Sequence, residues 1–535
     1  MLASSRWSVL FTAVFGVLLY LASIAGCSGS PTGSGFGGSS GGSGGSGGGS
    51  GGGSGGSGGG SGSGGGLGNL GGDGGGSGGS SGGGTACPAG LSCNVSCASG
   101  TTQLSGTVYD PAARNPLYNV AVYVPAVALQ PLPKGVPTGA DSCSCASLFK
   151  SGAVVSTTTA VDGTFTLTNV PVGTDVPLVL QVGKWRKLYT LNVTACAPNA
   201  QPDKSLLMPN SVLPTDTNDN MPDIAVSTGS ADSLECLMTR IGLPPPEYVA
   251  GTSTAGHVHV FSGGGTGAGG FGGGSGRPET PAMAGAPASD TALWANQAQL
   301  MPYDIVLLSC EGGETYNANP QALEAYLNAG GRAFGSHYHY SWFSGPIMSG
   351  QSYTAPADWG SNLATWSAGS NGTLGNTPLA GTIVQTLNGS TQPFAKGVAL
   401  DQWLGIVNAL GQNGVPAGDL SIYQPRYNAT VSASNVHSQP WITSGTNTMY
   451  FSFDTPVDQP NQPDGGPPAY CGRAVFSDLH VAGDPTTNDT PPPPGGCSSG
   501  PLSPQERALE FMLFDLSSCV IPDTISPPDA GVPTQ

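Results

Sequence analysis

Residues 303–313 read YDIVLLSCEGG and residues 319–343 read NPQALEAYLNAGGRAFGSHYHYSWF. The first stretch is a short apolar run, Ile305 to Leu308, bounded by Asp304 and Ser309, which reads as a buried strand. The second opens on Pro320, carries helical apolar spacing to Ala329, and stops at Gly330-Gly331 before another strand-like run, Arg332 to His337. Strand, helix and strand in that order make a βα unit. Such units require a parallel sheet covered on both faces, with any site at the carboxyl ends of the strands. Upstream, Ile224–Ser227 and His257–Phe261 read as further strands. Leu234, Leu237, Met238 and Ile241, with Asp232 near the start, give one helix face, and Leu293 to Leu300 suggests a short helix. The spacing predicts an α/β parallel-sheet domain over residues 224–522.

A later stretch, residues 471–483 (CGRAVFSDLHVAG), completes a plan. A strand ends near Cys310, a helix ends in Gly-Gly, a strand runs into an elbow at Gly335-Ser336-His337-Tyr338-His339, and a long insertion precedes a Gly-Arg-x-Val-Phe strand ending in His480. This order resembles the class I glutamine amidotransferase-like superfamily and, within it, the trehalose-utilisation-type domains. The resemblance implies a flavodoxin-like fold with insertions at 262–290 and 345–440. In active amidotransferases the middle elbow position is a Cys nucleophile and Pro-Glu follows the catalytic His. Here the middle position is His337, and Val481-Ala482 follows His480. Both departures remove the residues that glutamine hydrolysis needs.

Other chemistry-bearing residues gather at the expected strand ends. Five of the 6 histidines, His257, His259, His337, His339 and His480, fall there. A strand places both rings of a His-x-His pair on one face, and converging ends are suited to zinc or another transition metal. The alternative is a set of polar side chains satisfied by loop backbone and water. Glu311 and Glu314 stand near as oxygen ligands or bases. Cys310 is a nucleophile partnered by His337 or His480, a disulfide partner of Cys236, or a buried thiol. Trp342, Phe343, Trp359 and Trp366 pack the insertion or form a carbohydrate-stacking platform.

The preceding segment, residues 86–210, alternates apolar and polar residues in short runs: Gln103–Asp110, Ala121–Pro125, and Val161–Leu167 opened by a hairpin-type Asp162-Gly163. The spacing predicts a β-sandwich. SGTVYDPAARNPLYNVAVYVP and TTTAVDGTFTLTNVPVGTDVPLVLQVGKWRK resemble the carboxypeptidase regulatory-like domain, a transthyretin-type sandwich whose members are generally non-catalytic modules on exported proteins. Lys184, Trp185, Arg186 and Lys187 read as a solvated strand edge or a ligand contact. The acidic junction 211–223 places Asp216, Asn218, Asn220 and Asp223 at spacings that suit Ca²⁺, or form a solvated linker; no twelfth-position Glu makes it an EF-hand.

The amino terminus sets the compartment. Arg6, the apolar run Val9–Ile24, and Ile24-Ala25-Gly26-Cys27 resemble a bacterial lipoprotein signal (1–26) with Cys27 as the lipidated residue. Acyl chains there imply a membrane anchor, and Ser28 implies outer-membrane sorting in the cell envelope, periplasmic or surface-exposed. Residues 27–85 form a flexible Gly/Ser tether. More than half of the 88 glycines lie in it and in a second tract, 262–276, which reads as a loop of the α/β domain; 523–535 reads as a disordered tail. Twelve Cys suit an oxidising compartment. Cys87, Cys93, Cys97, Cys143, Cys145 and Cys196 are close enough in sequence for three local bridges, and a zinc knuckle is the rival reading. With 15 Lys+Arg against 32 Asp+Glu and no basic run, nucleic acid is not a partner. Two functions remain: a non-catalytic binding or structural lipoprotein, with a carbohydrate or envelope component as partner, or a metal- or Cys/His-dependent envelope hydrolase.

Overall fold

The computed structural model describes residues 87–263, 282–314, 319–348, 352–369, 377–459, 469–481, 484, 489–490 and 492–524. The signal segment, Cys27, the tether, most of the glycine-rich loop (264–281) and the chain from 525 onward lie outside the described residues.

Eight strands precede the junction: β1 (Gln103–Tyr109), β2 (Ala121–Pro125), β3 (Ala153–Thr158), β4 (Thr164–Thr168), β5 (Gly173–Val182), β6 (Trp185–Val193), β7 (Pro198–Ala200) and β8 (Leu206–Leu207). One sheet runs β4-β1-β7 with β8 also on β1, and a second, wholly antiparallel, runs β3-β2-β5-β6. Strand β4 shows the period of two plainly, with Phe165 and Leu167 buried between exposed threonines. Leu104, Val108, Phe165 and Leu167 from one sheet share an apolar cluster with Val122, Val124, Leu178 and Leu180 from the other. The Asp162-Gly163 turn does not close a hairpin. Its flanking strands pair elsewhere, β3 with β2 and β4 with β1, so it carries the chain from one sheet to the other. Gly163 has φ +74°, and a Cβ there would lie 2.7 Å from Pro116 Cβ.

Twelve more strands follow: β9 (Ile224–Ser227), β10 (Tyr248–Ala250), β11 (Val258–Phe261), β12 (Ile305–Leu308), β13 (Arg332–Ser336), β14 (Thr365–Trp366), β15 (Leu379–Ile383), β16 (Leu420–Ile422), β17 (Ala429–Thr430), β18 (Ser438–Ser444), β19 (Asn447–Thr455) and β20 (Gly472–Ser477). The helices are few: α1 (Leu234–Arg240), α2 (Ser289–Ala292), α3 (Gln297–Leu300), α4 (Gln321–Asn328), α5 (Tyr340–Ser344), α6 (Ala395–Ile406) and α7 (Pro504–Ser517). No helix among the described residues is long and apolar enough to cross a membrane. Ten strands form one sheet in the order β10-β11-β9-β12-β13-β20-β19-β18-β15-β16. From β10 to β20 every pair is parallel, and β9 and β12 are buried along their whole length, as parallel strands covered on both faces must be. The expectation of a wholly parallel sheet fails beyond β20. There each pair is antiparallel, because links such as the short turn at Gly445 (φ +60°) between β18 and β19 leave no room for a crossover. Leu293–Leu300 is not one helix but the C-cap residue of α2, a break and α3, whose N-terminus the Asn296 side chain caps.

Disulfides and buried charge join the two sheet systems within one compact unit, Ser81–Gln535. Cys87–Cys93 and Cys97–Cys196 are local, but Cys143 pairs with Cys471 and Cys145 with Cys519; Cys236 pairs with Cys497. The third local bridge and the zinc knuckle are therefore both overturned, since the Cys143–Cys145 segment is bound to β20's entry and α7's exit instead. The stretch Lys184–Lys187 is not a solvated edge either. Lys184 Nζ sits 2.5 Å from Asp304 Oδ1 at the start of β12, Trp185 packs on Phe514 of α7 with rings 5.6 Å apart, and Arg186 donates to three backbone carbonyls. Asp523, at the head of the expected tail, accepts from buried Arg473 at 3.0 Å.

Candidate functional site

Three side chains converge where three adjacent parallel strands end. Cys310 leaves β12, His337 leaves β13 and His480 follows β20. Cys310 Sγ lies 3.1 Å from His337 Nδ1, the two imidazole centres are 5.2 Å apart, and one ligand atom from each residue lies within 4.8 Å of the other two. All three are buried.

The backbone explains the convergence. Strand β13 ends in a tight elbow in which His337 has φ +47° and α5 begins three residues later. Gly335 permits this closeness, since a Cβ there would stand 3.0 Å from the Phe343 ring. A strained residue on a strand-to-helix turn is how a fold presents one side chain to a site. His480 is held by its own carbonyl, which accepts from the Gln505 side chain at the head of α7. That helix starts where it does because Ser503 and Glu506 form a reciprocal capping box with Pro504 in the first turn.

The electrostatics are those of a dry interior. Burial pushes the Cys310 thiol up to about 12, although backbone N–H groups of Gly312 and Tyr338 face the sulfur. Burial likewise drives both imidazoles well below their ordinary range, and Arg426 adds to the effect on each. Both ring nitrogens of His480 lack a hydrogen-bond partner. Leaving such a group unsatisfied costs about 1–3 kcal/mol, and its nitrogens are open to a hydrogen-bonding group or a metal ion.

The remaining histidines go elsewhere. His257 and His259 lie at the amino end of β11, opposite the carboxyl ends: His257 Nδ1 is 2.6 Å from Glu247, and His259 contacts the Gly251 carbonyl at 2.9 Å and Asp223 at 3.2 Å. His339 is buried beside Trp342 with Nδ1 3.3 Å from the Ser336 carbonyl, and does not join the group of three. Glu314 is bound to structure, accepting from Tyr340 Oη and from the N–H groups of Ile347 and Met348. Glu311 is buried with Oε1 3.5 Å from Ser227. The aromatic residues pack: Phe343 stacks on Trp359 at 5.6 Å and Trp366 at 6.1 Å, and Trp342 meets Trp294 at 4.9 Å. With Trp342, Phe343 and Trp359 buried, they offer no stacking platform to a carbohydrate.

Residues of the calcium set make other contacts. Asp216 caps the N–H groups of Asn218 and Asp219, Asp219 pairs with Lys187, the Asn220 amide donates to the Lys184 carbonyl, and Asp223 turns to His259. Asp216 Oδ1 and Asp223 Oδ1 are thus already engaged, by N–H groups and by an imidazole. Among the described residues, Cys310, His337 and His480 are the one group of three or more His, Cys, Asp or Glu with metal-site spacing.

No protein-family model, curated protein or solved structure matches the chain.

Two residues that the sequence did not single out belong to its walls. Asp478, two positions before His480, accepts from Asn428 N–H at 2.9 Å, and burial pushes its carboxyl up to about 8. Arg426 lies across from it, with its backbone N–H on the Asp478 carbonyl at 3.1 Å. Asp478 sits in the stretch that contains His480 and was open to notice. Arg426 sits in the insertion, where nothing in the local pattern marks it.

Proposed function

We propose that the chain is a lipid-anchored cell-envelope protein whose α/β domain holds a transition-metal ion, zinc foremost, on Cys310, His337 and His480. The carrying observation is the convergence of these three buried side chains with both His480 nitrogens unpartnered. Zn–S of about 2.3 Å and Zn–N of about 2.0–2.1 Å bring tetrahedral ligand atoms to roughly 3.3–3.7 Å of one another, a range bracketed by the 3.1 Å between Cys310 and His337 and the 4.8 Å limit that holds for the group. One thiolate and two imidazoles leave the fourth position for water or a ligand, as in catalytic rather than closed structural sites. This favours the metal-dependent reading over a plain binding module. It also disfavours thiol nucleophilic chemistry, because a buried Cys310 thiol raised to about 12 supplies almost no thiolate on its own.

The finer fold readings belong to the same proposal. The parallel run from β10 to β20, with the elbow at His337, supports a flavodoxin-like, amidotransferase-like domain in which the nucleophile position has become a metal ligand. The shared apolar cluster between the two N-terminal sheets supports the transthyretin-type sandwich. The exported setting is supported by five disulfides. Palmitate labelling lost in Cys27→Ser tests the anchor; a label that persists refutes it.

The metal test uses the mature chain, purified in detergent, stripped with chelator, and equilibrated with Zn²⁺ or Co²⁺. One ion per chain is expected, with a thiolate-to-Co²⁺ charge-transfer band, and both are expected to vanish in Cys310→Ser and His480→Ala proteins whose circular dichroism is unchanged. Failure of the wild type to retain any ion overturns the reading.

A further inference from the structure

Arg426 is a cation in the site walls whose bonding is half finished. It is 6% exposed, and Nη1 donates to the carbonyls of Gln424 and Pro425 at 2.8 and 3.2 Å. Nε is buried with no hydrogen-bond partner, and among the described residues Nη2 makes no hydrogen bond. Among the described residues no carboxylate lies within ion-pairing distance of it, although its charge acts on the nearby Asp478 carboxyl; Arg240 and Arg473, in contrast, are matched by Asp489 and by Asp454, Asp515 and Asp523. Arg186, the other buried guanidinium without a direct carboxylate, has a carbonyl on each of Nε, Nη1 and Nη2. The open edge of Arg426, Nε with Nη2, is the fork that binds a carboxylate through two parallel N–H···O bonds.

Its position joins it to the metal site. The Arg426 N–H bonds the Asp478 carbonyl, two residues from His480, and the guanidinium charge is felt by Cys310, His337 and His480 alike. A largely buried cation with an unpartnered Nε, near enough to act on all three ligands, calls for an anion there. One guanidinium balances one negative charge, and a phosphate dianion in this closed, buried setting would bring a second charge with no partner. From this edge and this placement we infer that the site takes a small carboxylate-bearing ligand, its two oxygens on Arg426 Nε and Nη2 and its body toward the Cys310–His337–His480 centre. The inference rests on the proposed metal site for what the ligand faces, and on Arg426 alone for how it is held.

The probe is acetate, titrated into the Co²⁺-loaded mature chain while the visible Co²⁺ spectrum is followed, with inorganic phosphate as a second arm. Acetate is expected to perturb the spectrum saturably, at least 10-fold more weakly in Arg426→Met and by an intermediate amount in Arg426→Lys, which keeps the charge and loses the fork. The Co²⁺ stoichiometry of both variants should stay at the wild-type value. A wild type that holds Co²⁺ but is unmoved by acetate overturns the carboxylate inference and leaves the metal site standing. Equal acetate affinity in wild type and Arg426→Lys also overturns it, since a bare charge then suffices, as does phosphate binding tighter than acetate. A wild type that holds no Co²⁺ overturns the metal reading instead; acetate protection against heat, present in wild type and absent in Arg426→Lys, then still reports on the Arg426 fork. Should Arg426→Met fail to fold, the wild-type titration and Arg426→Lys decide alone.

Discussion

At the residue scale, His337 shows how one backbone angle serves the site. Its φ of +47° lies in a region that Asn and His tolerate and β-branched residues do not. In chelator-stripped protein, His337→Asn is expected to keep stability within about 1 kcal/mol, while His337→Val loses about 1–3 kcal/mol from the strained angle. Urea melts of the two variants check this; equal stability would mean the elbow relaxes and the angle is not imposed by the surrounding packing. Neighbouring Gly335 belongs to the same device, because the elbow folds Phe343 back onto it.

At the scale of elements, two segments whose sequences suggested ligands are used for packing. In the junction, carboxylates are matched by Lys187, His259 and backbone N–H groups, so millimolar Ca²⁺ is expected to leave the thermal midpoint unchanged in chelator-stripped protein; a rise would restore the calcium site. In the insertion, Trp359 is wedged between Phe343 at 5.6 Å and Phe453 at 5.4 Å. Trp359→Ala is expected to cost about 3–5 kcal/mol by equilibrium unfolding, the toll of a large core cavity, and a cost near zero would mean the ring is not part of the core.

At the scale of the whole molecule, the two sheet systems are held by bonds that no local reading contains. Cys143–Cys471 and Cys145–Cys519 span 328 and 374 residues of chain. Replacing either pair with serines is expected to lower stability by about 2–5 kcal/mol. Between the same parts lies a buried pair of acids: Glu510 on α7 accepts from Asn115 at 2.6 Å, while Glu510 Oε1 and Asp110 Oδ2 have no donor. One proton shared between them satisfies both. Burial raises both carboxyls, and the neighbouring Asp110 carries Glu510 further, well above its ordinary range, while the hydrogen bond with Glu510 works the other way on Asp110. Groups facing the pair are Arg114 beside Asp110 and Arg507 beside Glu510. A raised folded-state value means the native protein binds more protons than the unfolded chain, so this contribution is complete below about pH 4 and declines as pH climbs toward the raised value, at up to about 1.4 kcal/mol per unit per proton. Glu510→Gln supplies the missing N–H without a proton. Its thermal midpoint is therefore expected to exceed that of wild type at pH 8 and to converge with it near pH 5; parallel curves would show that the pair does not retain its proton.

The sequence by itself determined the strands β9, β12, β13 and β20 and the helix α4, because short apolar runs, a helical stripe and a Gly-Gly stop are local signals. It also named Cys310, His337 and His480 as candidates, because the end of a parallel strand is where chemistry collects. It did not distinguish them from His257 and His259, since strand ends look alike until the direction of β11 and the order of the sheet are known. Arg426 and the cross-linking cysteines were beyond it for the same reason: an insertion residue, or a Cys 328 positions from its partner, has no periodicity to betray it. What tertiary structure alone decided was adjacency, the placing of β12, β13 and β20 side by side with Arg426 across from their ends. Adjacency of that kind comes from burying apolar faces over the whole chain, a global sum that no window of sequence contains.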